Sequence, residues 1–284
     1  MEYIDKPWEL KLTENPNPDM IRLITERWNE IKLPFTNPKN PKGDKIVGNG
    51  ALKMWKSYCE NLEITYSSSI KSEPNRMYAR SISCQGLPKI IRNSLYRDHG
   101  VDTDAVCCHP TLALHFAKKY NLPSTRIDYY ISHRGEIVES FSEKLQLGRS
   151  QTKQLFNSLL YGGTIPMEIK ANDELYTLAD EFRKECNALA EKISSVYPIL
   201  LKEAQKKDKY QPKFSALSCF INNIENQIVI KAMEWMCQRG IKIYVYSFDG
   251  FLHSPPKQDV YEELNAYIEK ETGIPLRFIN KEMD

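Results

Sequence analysis

Two aspartates in distant parts of the chain have the residue type and local pattern of a metal site. A short apolar run starts with Asp104 and turns at His109-Pro110 into a helical pattern, which predicts a carboxylate at the mouth of a strand. Asp249 stands before Gly250 between two alternating runs, a strong hairpin pattern. Two such carboxylates suit a pair of Mg²⁺ ions about 3.5–4 Å apart. Taken singly, each also fits an ordinary role, Asp104 at a helix start and Asp249 in a turn.

A second set of residues has the spacing of a phosphate-binding helix face. Arg149, Lys153, Asn157 and Tyr161 recur every four residues, which keeps them on one side of a helix. The helix dipole disfavours cations in the first turns, so we interpret the two cations as serving a ligand. A triphosphate is the natural ligand for a helix start with cations. The alternative is a solvated basic face.

The helices and strands around these residues are predicted from hydrophobic periodicity and from the positions of Gly and Pro. Pro110 fits the first turn of a helix over Thr111–Tyr120. Ile241–Ser247 and Phe251–His253 alternate as two strands of a hairpin. Gly162-Gly163 ends the helix that begins at Arg149.

These motifs occur in the order found in one enzyme family. They are Arg76-Met77-Tyr78 with Ser83–Pro88 and Ile91-Arg92, then Asp104 with His109, then Arg149 to Gly162, then Phe248-Asp249-Gly250. The chain resembles the A-family DNA polymerases in these motifs. It is most similar to the short polymerase modules of virophages, transposons and large-virus replication proteins. The resemblance runs from Arg76 to His253, which is most of the chain.

The resemblance implies a fold, a reaction and site residues. The fold would be α+β: a polymerase palm, an antiparallel sheet with a catalytic hairpin, plus a helical fingers insertion and a reduced N-terminal thumb-like region. The reaction would be template-directed DNA synthesis with two Mg²⁺ ions, replaceable by Mn²⁺, and no proofreading exonuclease. Asp104 and Asp249 would be catalytic and would bind metal together with Ala105. The implied nucleotide-binding residues are Arg76, Arg92, His109, Arg149, Lys153, Asn157 and Tyr161, and the implied nucleic-acid contacts are Gln85, Asn222, Asn223 and Asn226.

Three positions depart from the family pattern. His109 stands where the family has a glutamate that excludes a ribose 2′-hydroxyl, Asn157 replaces an aromatic residue, and Gly250 replaces the second hairpin carboxylate. We expect deoxynucleotides to be preferred, less stringently than with a glutamate at this position. Asp102, on the strand face of Asp104, is either a third acid or a local turn residue.

Composition limits the class of protein. With 284 residues, 41% of them hydrophobic, the chain is long enough for one large or two modest domains. It has no apolar run of about 18 residues and no secretory pattern at its start, so we expect no membrane partner. Seven cysteines without framework spacing indicate a reducing, intracellular compartment, and Cys107-Cys108-His109 lacks the second pair of a zinc site. The resemblance adds a viral or mobile-element source.

The remaining segments complete the predicted organisation. The predicted domains are an N-terminal helical region (1–75), a first palm segment (76–125), fingers (126–214) and a second palm segment (215–284). Further helices are predicted at 20–31, 51–61, from Asn172 onward with a bend at Pro198, at 215–236 and at 260–270, with an edge strand at 276–279. The polar cluster 222–227 contacts either the minor groove or the core. Lysine-rich 39–45 and 202–213 are phosphate contacts or solvated loops, because a net charge of +2 alone does not indicate nucleic acid.

The expected partners are a DNA primer–template, dNTPs and a replicative helicase. Three alternatives stay open. The histidine at the sugar position favours an RNA polymerase, primase or primase-polymerase. A metal-dependent nuclease needs the acids but not the Arg149 face. An inactive nucleic-acid-binding module is disfavoured because both acids are present.

Overall fold

The computed structural model describes residues 1–4, 8–31, 46–68, 76–170, 173–207 and 210–283. Across these ranges the protein is α+β, with two antiparallel sheets among many helices. The strands are β1 (Glu9–Thr13), β2 (Glu63–Ser68), β3 (Met77–Ala79), β4 (Val101–Ala105), β5 (Ile243–Ser247), β6 (Gly250–His253) and β7 (Phe278–Lys281). The helices are α1 (Pro18–Glu26), α2 (Trp28–Ile31), α3 (Gly48–Glu60), α4 (Lys89–Tyr96), α5 (Cys108–Lys119), α6 (Thr125–Ser132), α7 (Arg134–Leu145), α8 (Arg149–Leu160), α9 (Met167–Lys170), α10 (Asp173–Val196), α11 (Pro198–Lys207), α12 (Pro212–Gln238) and α13 (Tyr261–Thr272).

The chain divides into two compact units. Apart from Met1 and Glu2, the first unit consists of Tyr3–Val106 and Asn226–Asp284, and the second is Cys107–Glu225. Helix α12 contributes residues to both. The names palm and fingers, and the domain bounds attached to them, stay predictions.

The first unit contains both sheets. Their strand orders are β1-β2-β3 and β5-β6-β4-β7. Helices α1, α3 and α4 supply most of a buried apolar cluster that includes Trp55, Tyr58 and Tyr96, and Tyr244 of β5 packs with it. A buried acid, Glu14, accepts hydrogen bonds from the Tyr66 hydroxyl at 2.8 Å and from the Cys84 N–H at 3.0 Å. The second sheet carries Asp104 and Asp249.

The second unit is helical around an aromatic core. The Tyr130 and Phe156 rings stack with centroids 4.2 Å apart, and Phe141 and Phe182 pack edge-on against Phe156 at 5.1 and 5.4 Å. These rings come from α6, α7, α8 and α10. Helix α8 is therefore fixed by its buried side, which leaves the opposite side to solvent.

Most of the predicted elements are confirmed within a few residues. Helices α5, α8, α12 and α13, the β5–β6 hairpin and the edge strand β7 lie where periodicity placed them. Pro198 begins a separate helix, α11, rather than bending a continuous one, because proline is accepted at a first helical position. The predicted helix at 20–31 is two helices, α1 and α2.

The N-terminal prediction was incomplete. Residues 1–75 were predicted as helical, yet β1 and β2 lie there and pair with each other. Their short alternating stretches have no Asp-Gly or Asn-Gly turn to mark them. Asn172, the basic stretch 39–45 and residues 208–209 of the second basic stretch lie outside the described residues. No helix in the described ranges is both long and apolar enough to cross a bilayer.

Candidate functional site

In the first unit, the two predicted catalytic acids lie at the same end of one sheet. Asp104 is the penultimate residue of β4 and pairs in register with Gly250 of β6. The Ala105 N–H donates to the backbone carbonyl of Asp249 at 2.9 Å. A direct backbone contact therefore joins the end of β4 to the hairpin tip that carries Asp249.

The hairpin turn differs from the predicted one by a residue. Phe248 and Asp249 form the tip, whereas Gly250 already belongs to β6. Phe248 has a φ of 59°, a left-handed conformation that is uncommon for a bulky residue. A Cβ atom on Gly250 would lie 2.1 Å from the Thr103 carbonyl oxygen. A side chain at this position would force β4 and β6 apart, so the pairing of these strands requires glycine.

Arg76 packs on the hairpin tip. Its guanidinium carbon lies 4.1 Å from the centroid of the Phe248 ring, and Tyr78 meets the same ring edge-on at 5.5 Å. A guanidinium over an aromatic face is held by a cation–π attraction. The motif that begins at Arg76 thus braces the residue preceding Asp249, while phosphate binding by Arg76 stays a prediction.

A lysine that sequence reasoning missed lies among the acids. Lys281 of β7 donates from Nζ to Asp104 Oδ2 at 2.8 Å and is paired in register with Asp102. Partial burial lowers the pKa of Lys281, but the hydrogen bond to Asp104 and the charges of Asp104, Asp102 and Asp249 outweigh it, so the net shift is upward. All three acids therefore act electrostatically on one ammonium group. The only sequence sign was a cation two residues past the predicted edge strand.

Asp102 and Arg92, which is a predicted nucleotide-binding residue, are neighbours of this cluster. Burial raises the pKa of Asp102, and the charges of Lys281 and Arg92 oppose that rise. On the other face of β4, the Thr103 hydroxyl lies 2.8 Å from His253 Nε2 and 2.7 Å from the Tyr261 hydroxyl. These contacts anchor the strand that presents Asp104.

The donor set of this cluster suits a hard cation. Within the described ranges, no group of three or more His, Cys, Asp or Glu side chains is arranged to hold a metal ion. Mg²⁺ commonly binds through one or two carboxylates and completes its shell with water and substrate phosphates. Asp104 and Asp249 fit that mode, and Asp104 already forms an ion pair with the ammonium group of Lys281.

In the second unit, α8 exposes the predicted phosphate-binding face. Arg149, Lys153 and Asn157 are exposed, whereas Thr152 and Phe156 are buried. Tyr161 is the C-cap residue and is partly buried. Gly162 follows with a φ of 82°, a conformation that favours glycine. The four-residue spacing thus forms one side of a real helix.

His109 connects this helix end to a buried acid. His109 Nδ1 lies 2.8 Å from the Tyr161 hydroxyl, and His109 Nε2 lies 2.9 Å from Glu225 Oε1. The Cys108 thiol donates to the same oxygen at 3.7 Å. Glu225 is fully buried. Sequence reasoning placed Glu225 in a polar cluster without connecting it to His109.

Tyr161 also borders an open cavity of about 410 Å³. The other lining residues are Tyr210, Gln211, Phe214, Ser215 and Ser218. Two aromatic rings with hydroxyl and amide groups give this cavity both apolar and hydrogen-bonding walls. A ligand that enters it meets the Tyr161 side chain.

The four predicted nucleic-acid contacts are largely inside the protein. The Gln85 side chain donates to the Met77 and Tyr246 carbonyls at 3.3 Å and accepts from the Ala79 N–H at 3.1 Å, so its amide ties strands together. Asn222, Asn223 and Asn226 are all buried. Asn226 accepts from the Tyr246 hydroxyl at 2.7 Å, which is the core role left open by the sequence. Nucleic-acid binding by these four residues stays a prediction.

The chain is similar to a viral protein in sequence and to a solved polymerase domain in structure. The chain is 26% identical over 200 residues to a protein of the Sputnik virophage described as "Putative helicase V13". That match covers 67% of this chain but only 26% of the virophage protein. Among solved structures, the POL domain of Pol1 from M. smegmatis, in complex with DNA primer-template and dNTP, aligns with a TM-score of 0.47 and 11% identity. The structural alignment covers 80% of this chain and 49% of the Pol1 chain. No family model matches the chain.

Proposed function

We propose that the protein is a nucleotidyltransferase that extends a DNA primer on a template with dNTPs, as A-family polymerases do, without a proofreading exonuclease. The observation that carries the proposal is the acid cluster of the first unit. Asp104 and Asp249 come from distant segments and meet through the backbone contact at Ala105. The charges of Asp104, Asp249 and Asp102 each raise the pKa of Lys281, which indicates a negative electrostatic potential that favours cations.

The proposed metal ligands are the carboxylates of Asp104 and Asp249 and the carbonyl of Ala105. These are hard oxygen donors, which Mg²⁺ prefers and Mn²⁺ also accepts. Two bound ions would supply a lowered pKa for the primer 3′-hydroxyl and charge stabilisation for the leaving pyrophosphate. The chain's own role in this proposal is to bring the two carboxylates together, and the β4–β6 pairing with the close approach of Gly250 to Thr103 supports it.

The exposed face of α8 is proposed to bind the triphosphate. Arg149 and Lys153 supply positive charge where negative charge develops during transfer. Asn157 lies on the same face, and Tyr161 closes over the nascent base pair. Arg76 and Arg92 are proposed as further cations for the substrate. A metal-dependent nuclease needs only the acids, so this face is what favours transfer over cleavage.

The sugar and the partners complete the proposal. We propose that His109 packs against the nucleotide sugar and favours deoxynucleotides. We also propose a replicative helicase as a partner and a virus or mobile element as the source. The description of the virophage relative names a helicase, but this chain spans about a quarter of that protein's length, as the 26% coverage shows. An intracellular, reducing location fits seven free cysteines, six of them at least partly buried.

Primer extension tests this function directly. Purified protein is given a primed DNA template, Mg²⁺ and either dNTPs or NTPs, with unprimed template in parallel. Extension of the primer with dNTPs supports the proposal. Preferential use of NTPs, or synthesis without a primer, would favour the primase alternative, and nucleotide-independent cleavage of the DNA would favour the nuclease.

A further inference from the structure

A buried acid of the first unit is connected to the hairpin that carries Asp249. Glu14 follows β1 and is only 1% exposed. Both of its carboxyl oxygens lie 3.0 Å from the Cys84 nitrogen, and Oε1 lies 2.8 Å from the Tyr66 hydroxyl. A backbone N–H can only donate, so Glu14 is the acceptor for Cys84 whether or not its carboxyl group is ionised.

One connection to the hairpin runs through a short 3₁₀ helix. Cys84 begins this helix, Cys84–Gly86, and Gln85 is its next residue. The Gln85 amide donates to the backbone carbonyl of Tyr246 in β5 at 3.3 Å. Because Glu14 holds the backbone of Cys84, it also fixes the point from which Gln85 reaches β5.

A second connection runs through Tyr66 of β2. Its hydroxyl contacts Glu14, and its ring meets the Tyr246 ring edge-on with centroids 5.7 Å apart. Edge-on aromatic pairs are attractive and have a defined geometry. Both connections therefore end on Tyr246, which pairs in register with Phe251 across the hairpin.

A carboxyl group is a costly choice for this buried position. Burial raises the pKa of Glu14 from 4.5 to about 7, which shows that the surroundings disfavour its ionised form. An apolar side chain of similar size would avoid this cost but would leave the Cys84 N–H without its acceptor. The acceptor oxygens are therefore what Glu14 contributes here.

We propose that Glu14 is a positioning residue for the Asp249 hairpin and acts on β5 through Gln85 and Tyr66. This inference rests on the part of the proposed function that makes Asp249 a metal ligand. By holding the 3₁₀ helix and β2 against β5, Glu14 places the hairpin tip at the end of β4. The contact that reports this placement is the hydrogen bond from the Ala105 N–H to the Asp249 carbonyl, at 2.9 Å.

The first experiment measures amide hydrogen exchange of Ala105 by NMR, without metal or substrate. Exchange at this amide reports how often its contact with Asp249 opens. Glu14→Leu should speed the exchange about tenfold, because the Cys84 N–H loses its acceptor. Glu14→Gln keeps an acceptor oxygen, so its exchange rate should stay within about twofold of the wild type.

The matched control is Asn17→Ala, which lowers the stability of the same unit at another place. The Asn17 side chain caps α1 by accepting from the N–H groups of Asp19 and Met20. Loss of such a cap destabilises a protein about as much as loss of one buried hydrogen bond. Equal acceleration at Ala105 in Asn17→Ala and Glu14→Leu would mean that Glu14 acts on overall stability alone and would overturn the proposal. Unchanged exchange in Glu14→Leu would also overturn it.

Two milder variants decide the proposal even where Glu14→Leu does not fold. Gln85→Met removes the amide that bonds β5, and Tyr66→Phe removes the hydroxyl that bonds Glu14, while both keep the size of the side chain. Each should speed Ala105 exchange about three- to fivefold, since each breaks one of the two connections. Wild-type exchange rates in both variants would overturn the proposal.

The second experiment measures Mn²⁺ affinity by electron paramagnetic resonance. Glu14→Leu should weaken Mn²⁺ binding about fivefold, because the Asp249 carboxylate is no longer held beside Asp104, and Glu14→Gln should bind as the wild type does. Unchanged Mn²⁺ affinity in a Glu14→Leu variant with faster Ala105 exchange would show that Glu14 does not position the metal ligand.

Primer extension separates this inference from the polymerase function. Extension by the wild-type protein, with normal Ala105 exchange in Glu14→Leu, removes the positioning role of Glu14 and leaves the polymerase function standing. The expected exchange and Mn²⁺ results in a protein that does not extend primers support the positioning role and overturn the polymerase function.

Discussion

Lys281 Nζ lies 2.8 Å from Asp104 Oδ2, at the end of the sheet that also carries Asp249. The two residues are 177 positions apart in the chain. Asp104 is a proposed metal ligand, and a metal ion that binds Asp104 Oδ2 would compete with the Lys281 ammonium for this oxygen.

Removing this ammonium should strengthen metal binding. A partly exposed ion pair contributes up to about 1 kcal/mol, so Lys281→Met should raise Mn²⁺ affinity about fivefold. Electron paramagnetic resonance of free Mn²⁺ measures this without substrate. The matched control is Lys11→Met, since Lys11 pairs with Glu9 on the exposed surface of the same unit. Equal or weaker Mn²⁺ binding in Lys281→Met would contradict the competition.

Neutralising either of the two proposed catalytic acids should abolish primer extension. Metal-assisted charge stabilisation contributes several kcal/mol, so Asp104→Asn and Asp249→Asn should each lower the rate about a thousandfold or more. Duplex binding should change little. Asp98→Asn, at an exposed position, is the control. Near wild-type extension in Mg²⁺ by either variant would show that the two-metal assignment is wrong.

The α8 cations should act on the nucleotide rather than on the duplex. Arg149→Ala and Lys153→Ala should each lower kcat/KM for dNTP about tenfold or more, the cost of one hydrogen bond to a charged group. Primer–template affinity should be nearly unchanged. Lys118→Ala is the control, because Lys118 is engaged by Asp128 elsewhere in the second unit. A loss of DNA binding with normal nucleotide kinetics would place this face on the duplex instead.

His109 should control the choice of sugar by its volume. His109→Ala removes the ring and opens space at the 2′ position, so NTP use should rise relative to dNTP use. The ratio of kcat/KM values for dNTP and NTP is the quantity to measure. His115→Ala is the control, because His115 lies on the same helix and packs on Phe116. An unchanged ratio in His109→Ala, or a preference of the wild-type protein for NTPs, would show that His109 does not exclude the 2′-hydroxyl.

Glu14 should make stability depend on pH in an unusual direction. Burial raises its pKa from 4.5 to about 7, although hydrogen bonds from Tyr66 and Cys84 oppose the rise. The folded state therefore holds the proton more tightly than the unfolded chain. Its contribution is complete below pH 4.5 and is lost as pH rises from 4.5 to about 7.

Glu14→Gln should remove this dependence, because the amide stays neutral. The fall in unfolding free energy between pH 5 and 8 should be smaller than in the wild type by on the order of 2 kcal/mol. Urea unfolding at the two pH values measures the difference, with the exposed Glu9→Gln as control. An identical fall in Glu14→Gln and wild type would show that the buried acid does not titrate in this range.

Local sequence patterns predict the secondary-structure elements that carry the candidate site. The apolar run that starts at Asp104, Pro110 at a helix start and the alternating runs around Asp249 predicted β4, α5 and the hairpin. The four-residue repeat from Arg149 to Tyr161 predicted one face of α8. These patterns could be read because helix and strand periods, and the backbone restrictions of Gly and Pro, act over a few neighbouring residues.

Contacts between residues far apart in the chain could not be predicted from local patterns. Lys281 on Asp104, Glu225 on His109 and Arg76 on Phe248 join segments more than 100 residues apart, and no local pattern marks them. The role of Gly250 was also hidden, because it depends on the Thr103 carbonyl of the neighbouring strand. Such contacts depend on strand order and helix packing. The partner of an edge strand or of a buried acid is therefore set by the whole fold and not by the neighbouring residues in the sequence.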